Sequence, residues 1–225
     1  MTTDSSLTLY AAGYDADDNY LSDVNADWSV TGDLDDVPLT GTYIVFDPTT
    51  PNTSGTIVAN IAGVTSDATG MINVGTGALE YLVIRDAESG SGSVVGALSM
   101  TTDEAMTLYL AGYDQDDNFI RDVNAQWSVQ GDIGSINTGS SFVTSTVFTA
   151  SSVGTGTVQA DTSTFQDQTG LITVTGGALS YLLIRDGGDG SGSEVGTVTM
   201  TTDSSLTLYA AGYDADDNYL SDVNA

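Results

Sequence analysis

Short runs of β-branched, aromatic and leucine residues alternate along the whole chain with turns of Gly, Asp, Ser and Thr. Between Tyr20 and Val30 the apolar residues recur with period two, which is typical of a strand with one buried face. No stretch combines helical periodicity with helix caps, so the pattern predicts an all-β protein. The strands predicted in the middle of the chain are residues 79–85, 94–99, 106–113, 119–129, 141–149, 156–161 and 170–174.

The segment Met1-Thr2-Thr3-Asp4 returns at Met100 and again at Met200, which indicates an internal repeat of about 100 residues. Seven short predicted strands in one repeat favour an immunoglobulin-like β-sandwich. Residues 200–225 are identical to residues 1–26, whereas residues 100–125 are only similar to them. We therefore expect a two-domain unit of about 200 residues that is itself repeated, and this chain to be a window of a longer array.

Three domain segments follow if the repeat begins with the predicted strand at residues 79–85. Residues 1–76 form an immunoglobulin-like domain that lacks its first strand, and residues 77–175 form a complete domain. Residues 176–225 form the N-terminal part of a third domain. The predicted fold class is therefore a tandem array of immunoglobulin-like β-sandwiches.

The chain carries 31 acidic residues against three arginines, with no Lys or His, which gives a formal net charge of −28. This charge excludes nucleic-acid binding, which needs clustered Lys and Arg, and it disfavours anionic membrane surfaces. Because Cys and His are absent, the chain has no thiol or imidazole nucleophile and no thiolate or imidazole metal ligand. We expect no enzyme activity and no membrane insertion, since a spanning helix needs about 18 apolar residues in a row. Only oxygen ligands remain for metals, the set that calcium and magnesium prefer.

One block of residues connects an acidic hairpin to a tryptophan strand. In the first copy it consists of Gly13-Tyr14-Asp15, Asn19, Asp23-Val24 and Trp28-Ser29-Val30. Residues 8–30 and 107–129 thereby resemble the bacterial Ig-like domains of invasin- and intimin-type surface proteins. The resemblance implies a rod of sandwich domains at a bacterial or archaeal surface, serving as stalk, adhesin or fibre. That family usually has Gly before the hairpin Asn, whereas this chain has Asp18, Asp117 and Asp217 there.

Each repeat places three aspartates and one asparagine within five residues of this hairpin. Close carboxylates repel each other by about 1 kcal/mol per pair in water, and a divalent cation would remove that repulsion. The spacing D-x-D-x-N matches the start of a calcium loop, although Tyr20 stands where an EF-hand has glycine. The alternative is an ordinary polar hairpin, since Asp and Asn are common turn residues. The sequence predicts calcium (Ca2+) at hairpin residues Asp15, Asp17, Asp18, Asn19, Asp114, Asp116, Asp117, Asn118, Asp214, Asp216, Asp217 and Asn218.

The position of this hairpin in an immunoglobulin-like domain suggests where the cation would lie. The hairpin between the second and third strands is at the end that faces the preceding domain. We therefore expect one cation at each domain junction, where it would stiffen the array. The predicted partners are Asp4 or Asp33 for the hairpin at Asp114, and Asp103 or Asp132 for the hairpin at Asp214.

Two further features carry candidate chemistry. The glycine- and serine-rich loop after the first strand contains Asp86 in one copy, and Asp186 and Asp189 in the next. These carboxylates could hold a second cation, or the loop could be a glycine-rich strand switch with a local Arg–Asp pair. Outward tyrosines would bind sugar or pack against a parallel fibre, although cross-strand packing on the sheet face is favoured. These tyrosines are Tyr10, Tyr14, Tyr109 and Tyr113.

Taken together, the patterns favour a structural subunit of an extracellular filament or cell-surface stalk, stiffened by calcium. Its partners would be copies of itself or neighbouring repeats. The alternative is an adhesin or a module that binds surface glycans, for which residues 35–53 offer a distinctive loop. A third hypothesis is an adaptation to salt. It predicts evenly spread acids, whereas the acids here cluster at turns.

Overall fold

The computed structural model describes residues 1–224, and all the regular elements in that range are β-strands. The prediction of an all-β protein is confirmed. None of the described residues forms a helix long and apolar enough to cross a membrane. The chain folds into two compact units: unit 1 comprises Met1–Tyr81 with Gly112–Arg121, and unit 2 comprises Leu82–Ala111 with Asp122–Ala225.

The first repeat, in unit 1, contains ten short strands. They are β1 (Leu7–Tyr10), β2 (Ala12–Tyr14), β3 (Tyr20–Asp23), β4 (Ala26–Val30), β5 (Thr40–Gly41), β6 (Tyr43–Phe46), β7 (Thr53–Gly55), β8 (Ile57–Asn60), β9 (Asp67–Ala68) and β10 (Ile72–Val74). Strand β1 pairs antiparallel with β6, β2 with β3, and β7 with β10, while β5, β4, β8 and β9 form a four-stranded sheet in that order.

The core of unit 1 follows from the alternation that the sequence shows. Along β4, Ala26 and Trp28 are buried while Asp27 and Ser29 are exposed, as period two requires. Trp28 packs with Ile44 and Phe46 of β6 and with Ile57 of β8 in one apolar cluster. The indole N–H of Trp28 donates to the carbonyl of Gly41 at 2.9 Å, so its one polar atom is satisfied.

The second repeat contains eleven strands. They are β11 (Tyr81–Arg85), β12 (Leu98–Thr101), β13 (Ala105–Tyr113), β14 (Phe119–Asp122), β15 (Ala125–Gln130), β16 (Gly134–Ile136), β17 (Phe142–Val143), β18 (Ser145–Ala150), β19 (Gly154–Asp161), β20 (Gln166–Gln168) and β21 (Ile172–Thr175). One sheet has the order β11-β13-β18-β16, with β14 on β13, and the other has the order β12-β21-β19-β15-β17, with β20 on β19.

Two features make this repeat an immunoglobulin-like sandwich. The chain leaves the first sheet after β11 and enters the second as β12, which pairs parallel with the last strand, β21. Side chains of both sheets are buried, including Leu108, Trp127, Phe148 and Ile172 at 2% exposure or less. The predicted fold class is confirmed.

Two predicted strands are in fact interrupted. Residues 119–129 form β14 in one sheet and β15 in the other, because the chain changes sheets between them. Residues 141–149 likewise form β17 and β18 in different sheets. Apolar alternation continues through such a crossing, so the sequence pattern reads as one strand.

The third repeat contributes β22 (Tyr181–Arg185), β23 (Tyr209–Tyr213) and β24 (Tyr219–Asp222), which form a three-stranded antiparallel sheet in unit 2. The limits of the compact units differ from those of the predicted domains, because residues 112–121 of the second repeat belong to unit 1. The domain segments 1–76, 77–175 and 176–225 stay a prediction, and Ala225 lies outside the described residues.

Candidate functional site

The three acidic hairpins share one local structure, in which the first aspartate organises the turn. In the first hairpin, Asp15 Oδ1 accepts hydrogen bonds from the backbone N–H groups of Asp17 and Asn19, both at 3.0 Å. The corresponding bonds to Asp114 Oδ1 measure 3.1 and 2.8 Å, and those to Asp214 Oδ1 measure 3.0 and 2.8 Å. Such side-chain turns are a common use of aspartate in hairpins.

The fourth residue of each hairpin has a left-handed backbone. The φ angles are 63° at Asp18, 65° at Asp117 and 66° at Asp217. This region favours glycine, and Asp and Asn are among the few other residues that tolerate it. The geometry therefore explains why glycine belongs to the resembling family's pattern at this position and why aspartate can replace it.

In unit 1, the second hairpin contacts residues of the first repeat and the stretch that begins the second predicted domain at Gly77. Asp114 Oδ2 accepts a hydrogen bond from the hydroxyl of Thr3 at 2.8 Å and one from the N–H of Gly77 at 2.9 Å. Asn118 Nδ2 donates to Asp114 Oδ2 at 3.1 Å and to the carbonyl of Thr49 at 3.0 Å. Asp114 is 0% exposed and Thr3 is 3% exposed, so water does not compete for these bonds. We call Thr3, Gly77 and Asp114 the first acidic joint.

Unit 2 contains a second copy of the same network. Asp214 Oδ2 accepts from the hydroxyl of Thr102 at 2.7 Å and from the N–H of Gly177 at 3.1 Å. Asn218 Nδ2 donates to the carbonyl of Ser151 at 3.1 Å. Asp214 is also 0% exposed. Thr102, Gly177 and Asp214 form the second acidic joint.

Asp4 and Asp103 flank the two joints, where they bind backbone rather than the hairpin carboxylates. Asp4 Oδ2 accepts from the N–H of Ala78 at 2.5 Å, and Asp103 Oδ2 accepts from the N–H of Ala178 at 2.7 Å. A Cβ atom on Gly77 would clash with the Asp4 carboxylate, and one on Gly177 would clash with Asp103. Glycine is therefore required at both positions by the close approach of a carboxylate.

The pKa values of Asp114 and Asp116, two aspartates of the same hairpin, shift in opposite directions. Burial raises the pKa of Asp114, but hydrogen bonds from Gly77, Thr3 and Asn118 outweigh this and lower it to about 2. Asp214 behaves in the same way, with burial opposed by Thr102, Asn218 and Gly177 and a pKa of about 2. By contrast, partial burial and the charges of Asp114, Asp4 and Asp47 raise the pKa of Asp116.

Calcium was predicted at these hairpins, and the geometry gives the hypothesis little support. Both oxygens of Asp114 already accept hydrogen bonds from hydroxyl, amide and backbone donors, so a cation would have to displace them. In residues 1–224, no three acidic side chains are grouped to hold a metal ion. The calcium site stays a prediction.

The other predicted ligands lie in separate turns. Asp33 Oδ1 accepts from the N–H of Ser54 at 2.6 Å, and Asp132 is exposed. Asp86 and Asp186 each accept from a serine N–H of their own loop, Ser93 at 2.6 Å and Ser193 at 2.7 Å. The backbone N–H of Asp189 donates to Asp222 at 2.9 Å. In these loops the carboxylates fix the backbone of a glycine-rich strand switch.

Four of the tyrosines form two stacked cross-strand pairs. Tyr113 stacks on Tyr81 and Tyr213 stacks on Tyr181, each with ring centroids 5.4 Å apart. The hydroxyl of Tyr81 donates to Asp117 at 2.6 Å, and burial together with this bond raises the pKa of Tyr81 to about 12. Tyr113 is only 6% exposed, whereas Tyr14, its counterpart in the first repeat, is 60% exposed.

Sequence reasoning placed the hairpins at the repeat boundaries but missed their partners. Thr3, Thr102, Gly77 and Gly177 supply the donors of the joints, and none of them can ligate through a carboxylate. The signal was present in the recurrence of Thr-Thr-Asp at residues 2–4, 101–103 and 201–203, and of Gly-Ala-Leu at residues 77–79 and 177–179.

The comparisons with known proteins found matches among solved structures only. No family model matches the chain, and no curated protein sequence matches it. The Escherichia coli adhesin FdeC is 17% identical, with a TM-score of 0.42, over 96% of this chain and 70% of FdeC. A C-terminal fragment of intimin, solved in complex with the intimin-binding domain of its receptor, is 16% identical, with a TM-score of 0.31, over 81% of this chain and 61% of the fragment.

The surface-layer protein SbsC, solved as domains 1–6, is 16% identical, with a TM-score of 0.31. The match covers 98% of this chain, which spans 31% of the length of that structure. The likenesses include intimin, one of the proteins whose domains the hairpin-to-tryptophan block resembles. At these identities and TM-scores they carry no argument about function.

Proposed function

We propose that this chain is a structural segment of an extracellular filament or cell-surface stalk built from tandem immunoglobulin-like domains, and that it has no catalytic role. The observation that carries the proposal is the duplicated acidic joint, Thr3–Asp114–Gly77 in unit 1 and Thr102–Asp214–Gly177 in unit 2. A buried network that recurs with the same residues fixes each repeat to the next one in a defined geometry. Such regularity suits an element that transmits tension.

The composition supports the same role. A net charge of −28 keeps such segments apart from one another and from anionic surfaces until specific contacts form. The absence of His and Cys removes the side chains on which most acid–base and nucleophilic catalysis depends.

Calcium stiffening is the finer part of the proposal. Partial burial and then the charges of Asp114, Asp4 and Asp47 raise the pKa of Asp116, and a cation bound beside these charges would relieve their repulsion. Oxygen ligands from exposed hairpin carboxylates suit calcium, which accepts irregular coordination. The joint carboxylates themselves would keep their hydrogen-bond donors.

Single-molecule pulling on the chain tests the proposal. The Thr3→Val/Thr102→Val variant removes one hydroxyl donor from each buried carboxylate, a loss of about 1.5–3 kcal/mol per joint. We expect it to unfold at a lower force than the wild type, while Thr202→Val, at the exposed third copy of the same residue, leaves the force unchanged. Equal forces in all three proteins would refute a mechanical role for the joints.

The same instrument tests the calcium part. A rise in unfolding force with calcium, but not with an equal concentration of magnesium, supports a specific site. An equal rise with any salt indicates charge screening, and no change removes the calcium stiffening while leaving the stalk role intact.

A carbohydrate-binding role is the second candidate. It is favoured by Tyr10 and Tyr43, which are 61% and 55% exposed and lie with ring centroids 5.8 Å apart on neighbouring strands. An exposed tyrosine ring offers a flat apolar face and a polar hydroxyl, which together suit packing against a sugar. Binding of the chain to an immobilised glycan panel distinguishes this role from a purely mechanical one.

A further inference from the structure

One sheet of the second repeat has an outer face made almost entirely of uncharged polar side chains. This sheet has the order β12-β21-β19-β15-β17, with β20 on β19, and all its strands belong to unit 2. Side chains alternate between its two faces, so Trp127 and Val158 point into the core while their neighbours along β15 and β19 point outward. The strand register places on the outer face Gln126, Ser128 and Gln130 of β15, Thr157, Gln159 and Asp161 of β19, and Gln166 and Gln168 of β20. We call these residues the glutamine face.

Glutamine is concentrated on this face. The sequence has six glutamines, and five of them lie here. Gln130 Nε2 donates to Gln159 Oε1 at 3.3 Å, and Gln159 Nε2 donates to Gln166 Oε1 at 3.0 Å, so the amides are linked across three neighbouring strands. Each amide has two N–H donors and an oxygen with two lone pairs, so the linked amides still offer donors and acceptors to a ligand.

The glutamine face is nearly free of charge in a chain whose net charge is −28. Among its residues only Asp161 is acidic, and Asp161 Oδ1 accepts a hydrogen bond from the N–H of Ser163 at 2.7 Å in the next turn. The fold does not require this neutrality. In the first repeat, the strand register places Asp27 where the second has Gln126, and Val58 where the second has Gln159.

An exposed aromatic ring adjoins the amides. Phe142 of β17 lies directly opposite Gln126 in the antiparallel register, so both side chains are on the same face of the sheet. Phe142 is 56% exposed, although its strand is paired with β15 and the sheet beneath it is complete. The surface therefore combines a flat apolar ring with a row of neutral hydrogen-bonding groups.

The dimensions of this surface argue against a protein partner. Four strands in a row, β17, β15, β19 and β20, about 4.8 Å apart and with about five residues each, cover roughly 300 Å². A stable interface between two proteins covers about 800 Å² on each side and has an apolar centre. The surface is therefore too small and too polar for a second copy of the chain, whereas a few linked sugar units would fit on it.

We propose that the glutamine face binds an uncharged oligosaccharide, with one sugar ring packed on Phe142 and sugar hydroxyls bonded to the amides of Gln126, Gln159 and Gln168. Sugar hydroxyls donate and accept hydrogen bonds, as the glutamine amides do, and the apolar side of a sugar ring suits an aromatic ring. Acidic sugars are disfavoured because the chain as a whole repels anions. This site is separate from the Tyr10–Tyr43 pair of unit 1, and it does not depend on the mechanical role.

The side-chain amide signals of the full chain in 1H–15N correlation spectra test the proposal. The probes are neutral hexasaccharides of glucose, of mannose, of galactose and of N-acetylglucosamine, with a hexasaccharide of galacturonic acid as the charged comparison. We expect a neutral probe to shift the signals of Gln126, Gln159 and Gln168 in proportion to the bound fraction. The signal of Gln115, the one glutamine outside the face, should stay in place, and the charged probe should shift none of them.

Variants measured by titration with the same probe locate the site. Phe142→Ala removes the ring, and Gln126→Glu replaces amide donors by a charge, so we expect each to weaken binding about fivefold. Gln115→Glu is the matched control, because it makes the same chemical change at an exposed residue of the second hairpin and should bind like the wild type. Tyr43→Ala should also bind like the wild type, since it alters only the aromatic pair of unit 1.

Three results would overturn the proposal. The first is that no neutral probe shifts the glutamine signals. The second is binding that survives both Phe142→Ala and Gln126→Glu, or that is lost in Tyr43→Ala, because another surface would then hold the sugar. The third is a dimer in sedimentation velocity that Gln126→Glu abolishes, because a second copy of the chain would then occupy the face.

Discussion

The first two acidic hairpins have nearly the same sequence and the same turn, yet their leading aspartates have different surroundings. Asp15 is exposed and accepts hydrogen bonds only from its own hairpin, whereas Asp114 is fully buried and also accepts from Thr3 and Gly77. Hydrogen bonds from Asn19 lower the pKa of Asp15, and at Asp114 the added bonds from Gly77 and Thr3 help to lower the pKa to about 2. The local sequence therefore determines the turn, and a neighbouring repeat determines its electrostatics.

The aromatic residues show the same contrast. Tyr113 is covered by Tyr81, whereas Tyr14 is 60% exposed. Gly77 and Tyr81 lie four residues apart, so one short stretch supplies both a donor to Asp114 and a ring to Tyr113. The second hairpin therefore owes part of the bonding of Asp114 and the cover of Tyr113 to residues 77–81.

The largest effect is expected from deleting the joint carboxylate. Asp114→Ala leaves the buried Thr3 hydroxyl and the Gly77 N–H without an acceptor, and we expect a loss of about 3 kcal/mol in the free energy of unfolding of unit 1. Asp15→Ala should lose much less, because water replaces the missing acceptor. Urea unfolding followed by Trp28 fluorescence in a Trp127→Phe background measures both. Similar losses in the two variants would contradict the comparison.

A smaller effect is expected from acid. The pKa of Asp114 in the folded protein, about 2, lies below the ordinary value of 3.8. The stabilisation by its charge is therefore complete above about pH 4 and is lost as the pH falls towards 2. The stability difference between the wild type and Asp114→Ala should narrow over that interval in urea unfolding at pH 6, 4, 3 and 2. A difference that stays constant to pH 2 would mean that the proton does not disturb the joint.

The smallest effect is expected at Asp116, whose pKa is raised by partial burial and by Asp114, Asp4 and Asp47. Removing its charge in Asp116→Asn should increase the melting temperature slightly, on the order of 1 °C at low salt. The gain should disappear at high salt because the repulsion is screened. Asp17→Asn, in the hairpin without a joint, serves as the control in calorimetry. An equal gain there would attribute the effect to general repulsion.

Much of the fold was accessible from the sequence, because alternation along strands such as residues 26–30 directly reflects burial. The position of the acidic hairpins at repeat boundaries was also accessible, since it follows from strand order. The chemistry of the site was not, because a cluster of carboxylates suggests cations, and no local pattern reveals that hydroxyl and amide donors occupy those oxygens. Thr3 and Gly77 act on a residue that lies far along the chain, and only the folded structure brings them together.

The buried carboxylates of Asp114 and Asp214 are stabilised by neutral donors and not by basic residues. Hydroxyl and backbone N–H groups of the protein replace the hydration water of each carboxylate, so these hydrogen bonds include no positively charged partner. Short-range dipoles of this kind are insensitive to ionic strength, unlike ion pairs. A series of such connections would therefore keep the same strength in dilute and in saline water.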